Sequence, residues 1–269
     1  GQHIFLFMLN EDGKKALLPK VFEKHFTEAP AKPHESFYAQ YPAAKRTIYE
    51  LRDDRFITVK QIYTTHYWER NEEKSQETET QRTVIYDRIR RRSINLFRLD
   101  MKSSEVEVRV DHVHSKDEKL ARQMLDDFRK DLLKVVDFDE HLVPVPVVAA
   151  FPGIIAVRDE TFMSVDEAFD MSASMRFANR REETKGKDIR DHPSHTKAIV
   201  EKSVARQTVR VYWLIGKGDH QRKVHSIIST VEIDGKNGDS IDYAKAYIPA
   251  KVDPADLGHV IARIRYFAG

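Results

Sequence analysis

Hydrophobic and polar positions change period several times along the chain, and each change predicts a change of element. Residues 4–9, Ile-Phe-Leu-Phe-Met-Leu, form an unbroken apolar run, as expected of a strand buried on both faces. Residues 12–25 follow with helical character, interrupted by Pro19. Two starts are open for this helix: near Asp12, or at Leu18 with Pro19 in the first helical position, where its missing N–H is harmless. Residues 29–45 hold Pro30, Pro33 and Pro42 and read as an irregular crossover. From Arg46 the period becomes two. Residues 47–51, 56–68, 82–93 and 94–100, then Val106-x-Val108-x-Val110, read as strands, with turns at Asp53-Asp54 and at Lys102-Ser103-Ser104. The apolar phase slips between Ile89 and Ile94, which predicts a bend or bulge near residues 91–93.

Ser115-Lys-Asp-Glu118 is a capping box, and Ala121, Met124, Leu125, Phe128, Leu132 and Val135 continue at helical spacing behind it. Val143-Pro-Val-Pro-Val147 cannot be helical, because each proline removes a donor and biases its predecessor towards extended geometry. It reads as a linker. Beyond it, 153–157 reads as an apolar strand, and 161–179 fits a helix by its Met, Ala and Phe content and a strand by its Ser spacing. A polar loop spans 180–193. Residues 198–215, 220–234 and 240–248 read as strands separated by glycine turns, and Asp253-Pro254 opens a closing helix with Leu257, Val260, Ile261, Ile264 and Phe267 at core spacing.

Each half therefore runs apolar strand, variable middle, antiparallel strands, closing helix. The expected fold is α+β: two sequential sheet-plus-helix halves with mainly antiparallel strands, each closed by an amphipathic helix. The N-terminal half takes residues 1–142, the Pro-Val linker 143–147 and the C-terminal half 148–269. No residue-level identity links the halves.

Composition narrows the class. The 269 residues carry 45 Lys+Arg against 43 Asp+Glu, a formal net charge of +2, so any affinity for a polyanion must come from segregated charge. There is no cysteine, which excludes disulfides, thiolate metal sites and a cysteine nucleophile, and fits a cytoplasmic setting. The apolar stretches fall short of the roughly 20 residues that span a bilayer, so no membrane association is expected. The first residues lack the basic start and small-residue cleavage site of a secretory signal.

Charge is segregated most clearly in residues 82–93, with Arg82, Arg88, Arg90, Arg91 and Arg92 against the single acid Asp87. In a strand, Arg82, Tyr86, Arg88, Arg90 and Arg92 line one face, with Ile85 and Ile89 on the other and Arg98 further along. Arg206, Thr208, Arg210 and Tyr212 form a second such face, backed by Val209, Val211 and Trp213. Arginine forks suit phosphate oxygens, and tyrosines set among them suit base stacking. The competing reading is cross-strand neutralisation of the first group by Glu105, Glu107 and Asp111.

Motifs for catalysis and metal binding fail. His112-Val-His114 and His192-Pro-Ser-His195 each offer two imidazoles where zinc takes three or four ligands. His195-Thr-Lys197 begins a His-x-Lys nucleophile pattern, but position 202 is Lys where an Asp is needed. Asp100 with Glu105-Val-Glu107 lacks the lysine of a metal-dependent nuclease, and Gly216-Lys-Gly218 lies between two strands and reads as a turn. The expectation is a non-enzymatic nucleic-acid-binding module without cofactor or metal, contacting DNA or RNA through Arg88, Arg90, Arg92, Arg206, Arg210, Tyr86 and Tyr212. The alternative is a protein-interaction or scaffold domain of a larger assembly. It would use an aromatic patch around Tyr63, Tyr67 and Trp68, with the acidic segment 71–79 and the mixed loop 180–193 selecting a protein partner.

Overall fold

A computed structural model describes residues 2–29, 42–77, 80–111, 118–170, 173–178, 187–193, 195, 206, 208–235, 239–249 and 251–269. The capping residue Ser115, the pair His112 and His114, and residues 180–186 of the loop 180–193 lie outside them. Chain order is β1 (Gln2–Leu9), α1 (Glu11–Ala16), α2 (Pro19–His25), β2 (Thr27–Glu28), β3 (Arg46–Arg52), β4 (Phe56–Arg70), β5 (Gln76–Glu77), β6 (Arg82–Thr83), β7 (Tyr86–Asp100), β8 (Glu105–Asp111), α3 (Glu118–Leu132), α4 (Phe138–His141), β9 (Leu142–Pro144), α5 (Val147–Ala156), β10 (Thr161–Phe162), β11 (Val165–Asp170), β12 (Ala173–Ala178), β13 (Thr208–Ile215), β14 (Arg222–Asp234), β15 (Ser240–Ile248) and α6 (Pro254–Ala268). The α+β class holds. Among the described residues no helix is long and apolar enough to cross a membrane.

The expected pair of sheets is one sheet. Its order is β10-β13-β14-β15-β1-β8-β7-β4-β3-β2, with β9 also on β1, and all pairings are antiparallel except β2 with β3. The join is β1. Gln2 to Leu6 pair with β15, Phe7 to Leu9 pair with β9, and Gln2 to Met8 pair with β8 on the other side. The unbroken apolar run of β1 follows from this central position, because both of its faces are buried. Phe5, Phe7 and Leu9 enter one core with Phe22, Phe97, Val108, Leu125 and Phe128; this side is called the front. Ile4 and Leu6 enter a second core, at the back, with Phe151, Val211, Trp213, Ala246 and Val260.

Helices α1 to α4 thus supply the front core over the N-terminal strands, and α5 and α6 the back core over the C-terminal strands. The C-terminal strands β14 and β15 also lend Val231, Ile233 and Tyr243 to the front core. The segment 143–147, expected as a linker, contributes β9 to the sheet and buries Val145 and Val147 in the back core.

Three local readings are corrected or resolved. Residues 153–157, expected as a strand, end helix α5, whose buried Val147, Ala150, Phe151 and Ile154 repeat at helical spacing. Pro152 within it obscured that period. Gly153 is required there, since a Cβ would meet the Phe267 ring of α6 at 2.5 Å. No bulge interrupts β7, whose ladder to β4 runs unbroken from Phe56↔Asp100 to Arg70↔Tyr86. The phase slip is instead a polar interior: Ser93 and Asn95 occupy front-facing positions, where Ser93 lies 3.0 Å from the Thr65 hydroxyl and Asn95 donates to Gln61 at 3.0 Å. Residues 12–25 form two helices, Pro19 opening the second. Asp53, Asp54 and Arg55 join β3 to β4; the Arg55 N–H donates to the Arg52 carbonyl at 3.0 Å, and Asp53 and Asp54 inside that turn take the left-handed φ values of 54° and 45°.

Candidate nucleic-acid interface

Strands β4 and β7 are each 15 residues long, roughly 50 Å of extended chain. Their neighbours are shorter. Strand β3 pairs with β4 only as far as Ile62, and β8 pairs with β7 only from Leu96 to Asp100. Among the described residues, 63–70 and 86–93 therefore run on as a two-stranded ribbon, roughly 25 Å beyond the ladder of β3. The tip is closed by the short β5–β6 pair and tied by Asn71, whose side chain donates to Asp87 at 2.6 Å.

Register decides what the ribbon presents. Leu96 pairs with Arg109, which pairs with the back-facing Ile4, so the even-numbered residues of β7 point to the back. Tyr86, Arg88, Arg90 and Arg92 stand in one row there. Opposite them on β4 stand Arg70, Trp68, His66 and Thr64. Trp68 is 67% exposed and Tyr86 54% exposed. Neighbours in a row are about 7 Å apart, twice the rise per residue.

The acids of β8 do not neutralise Arg88 or Arg92. Asp111 accepts from Arg91 at 3.0 and 3.2 Å, Glu107 binds Arg109, and Glu105 lies 4.0 Å from Arg265. Burial pushes the Asp111 carboxyl up, with the Arg91 guanidinium opposing it. Among the described residues Arg88 lies beyond the end of the β7–β8 ladder and has no cross-strand partner on β8. At the tip, charges pair locally: Arg70 with Glu72, Lys74 with Asp87 and Arg82 with Glu77. Arg82 belongs to β6 and is not part of the row. Arg98 continues the back face but packs over the Phe56 ring at 4.3 Å.

The second arginine face lies on the other side of the sheet. Val209 pairs with the back-core Ile228, so Arg210 and Tyr212 face the front. Tyr212 stacks on His225 with centroids 4.7 Å apart, and Phe162 stands 5.9 Å away. Arg210 is half-buried and has contacts of its own. Arg206 holds the fully buried Asp166 with both arms, Nε at 3.1 Å and Nη2 at 2.8 Å, while His195 Nε2 lies 2.8 Å from the same carboxylate. These hydrogen bonds and charges outweigh burial and hold the Asp166 carboxyl at about 2. This cluster braces β11 inside the protein and leaves Arg206 unavailable to a phosphate. Of the seven expected contact residues, the fold brings together Tyr86, Arg88, Arg90 and Arg92. It sets Arg206, Arg210 and Tyr212 apart from them.

Trp68, His66 and Arg70 were missing from the expected nucleic-acid face. Their strand was legible, but their position opposite the arginines depends on register. The aromatic patch of the alternative reading is divided: Trp68 faces the back, whereas Tyr63 and Tyr67 face the front. Tyr63 donates to Asn95 at 3.3 Å, and burial pushes its hydroxyl up to about 12. Among the described residues, no three histidine or carboxylate side chains gather as a metal cage. No family model matches the chain, and no curated protein is significantly similar to it in sequence.

Proposed function

We propose that this chain is a non-enzymatic nucleic-acid-binding module whose contact surface is the back face of the β4–β7 ribbon. The observation that carries this reading is the row Tyr86, Arg88, Arg90, Arg92 opposite Trp68 and His66, on strands that among the described residues run past the end of the β7–β8 ladder. Arginine supplies phosphate contacts, and the exposed rings of Trp68 and Tyr86 supply platforms for unpaired bases. Aromatics interleaved with cations favour single strands over duplex, and recognition of backbone and base faces gives little sequence preference.

Fluorescence polarisation against short single-stranded and duplex DNA and RNA, at several salt concentrations, tests this. Three phosphate contacts on a single strand give a slope of log affinity against log salt of about −2. Changing Arg88, Arg90 and Arg92 together to alanine is expected to abolish that slope and most of the affinity. Equal binding by the triple variant, or none by the parent chain at low salt, sinks the proposal. The exposure of Trp68, Tyr86 and Ile85 also supports a protein-docking reading of the same ribbon, which predicts binding that depends on Trp68 and is indifferent to salt.

A further inference from the structure

We infer that the recess between the base of the ribbon and the start of α6 is a binding site for a mononucleotide unit, a phosphoryl group joined to a nucleoside. The recess has a volume of about 420 Å³, inside the range of roughly 300–1,000 Å³ typical of small-molecule sites. Its lining divides into two kinds of surface. One is cationic, formed by Arg91, Arg92, Arg109 and Lys251, with Asp111 as its acid. The other is aliphatic, formed by Ile94, Ile248, Val252 and Leu257.

The cations are not equivalent. Arg91 is committed to Asp111 and Arg109 to Glu107. Arg92 and Lys251 have no acid partner among the described residues, and Nη1 of Arg92 is buried without a hydrogen bond. A buried guanidinium nitrogen without an acceptor is costly, and an anion entering the recess relieves that cost. Ile248 and Leu257 belong to the back core, so the aliphatic surface still open to the recess is that of Ile94 and Val252. An inorganic anion alone would leave that surface in water, and an apolar ligand alone would leave Arg92 unsatisfied. A nucleotide answers both: its phosphoryl oxygens meet Arg92 and Lys251, and its flat base lies on Ile94 and Val252. The recess shares Arg92 with the ribbon face but does not require the ribbon to bind a strand.

Isothermal titration calorimetry of the full chain with AMP, adenosine and inorganic phosphate separates these contributions. AMP is expected to bind saturably below millimolar concentration, at least tenfold tighter than adenosine or phosphate. Arg92→Ala and Lys251→Ala should weaken AMP tenfold and severalfold. Val252→Trp, which fills the recess from a half-exposed position, should abolish binding. The thermal midpoint of each variant checks folding. Arg88→Ala should weaken oligonucleotide and leave AMP unchanged, so failure of the recess and failure of the ribbon are distinguished. Absence of AMP binding at millimolar concentration overturns the inference, as does equal affinity for phosphate and AMP. Affinity for AMP indifferent to both Arg92→Ala and Lys251→Ala also overturns it.

Discussion

On β7, Arg88, Arg90 and Arg92 stand on a ribbon that outruns its neighbours; at β13, Arg206 and Arg210 lie against the body of the same sheet. Both segments place arginines at even spacing along one face of an extended chain. Their surroundings differ in one respect. Arg206 meets the enclosed carboxylate of Asp166, whereas Arg88 extends past the end of the β7–β8 ladder among the described residues. What a strand arginine meets thus depends on the lengths of the strands beside it. The alternation itself is silent on the matter.

That contrast can be broken most forcefully at Asp166. Arg206→Ala strips a buried carboxylate of its bidentate partner and is expected to cost about 3–5 kcal/mol, read by chemical denaturation. Arg88→Ala, at the other end of the comparison, should stay within about 0.5 kcal/mol of the parent. Stability against pH provides the second test. The folded Asp166 carboxyl titrates at about 2 against 3.8 when unperturbed, so its stabilisation is complete above pH 4 and is lost as pH falls towards 2. The loss is on the order of 2 kcal/mol and should be absent in Asp166→Asn, measured by denaturation between pH 2 and 5. Trp68→Ala comes third, with about 1–3 kcal/mol of single-strand affinity lost and no change in thermal midpoint. The smallest effect is that of Arg88→Ala on salt dependence, where the slope should shrink by about 0.7. If Arg210→Ala shrinks it equally, the two arginine faces are alike in function and the comparison fails.

The alternation on β7 was readable because a period of two assigns faces without knowledge of neighbours. Arg88, Arg90 and Arg92 do share a face, and the closing helix 254–268 followed from its own capping residues and apolar spacing. What could not be read is which side of the sheet each stripe occupies. That depends on a path through five registers, from β7 through β8, β1, β15 and β14 to β13, and no local pattern encodes it. The phase slip at 91–94 was misread for a related reason. Ser93 and Asn95 look like surface residues until Thr65 and Gln61, on a strand some thirty positions earlier, satisfy them. Helix α5 was hidden by Pro152, whose presence outweighed the spacing of Val147, Ala150, Phe151 and Ile154. The recess near Lys251 left no trace at all, since its walls come from the first strand, the ribbon base and the last helix.

The position of β1 has a consequence for how the molecule is made. It is made well before residues 244–248, with which it pairs on one side, and its Phe7 carbonyl accepts from Arg265 Nη1 at 3.0 Å. Until β15 is made, residues 2–6 of this very apolar strand lack their partner on that side, and the edge is open to any passing strand. Long-range closure of this kind is slow, because the entropy of a very large loop is lost before any contact rewards it. A nascent chain halted near residue 142 should therefore display a sticky edge, and completion of the last strand and helix is the event that seals it.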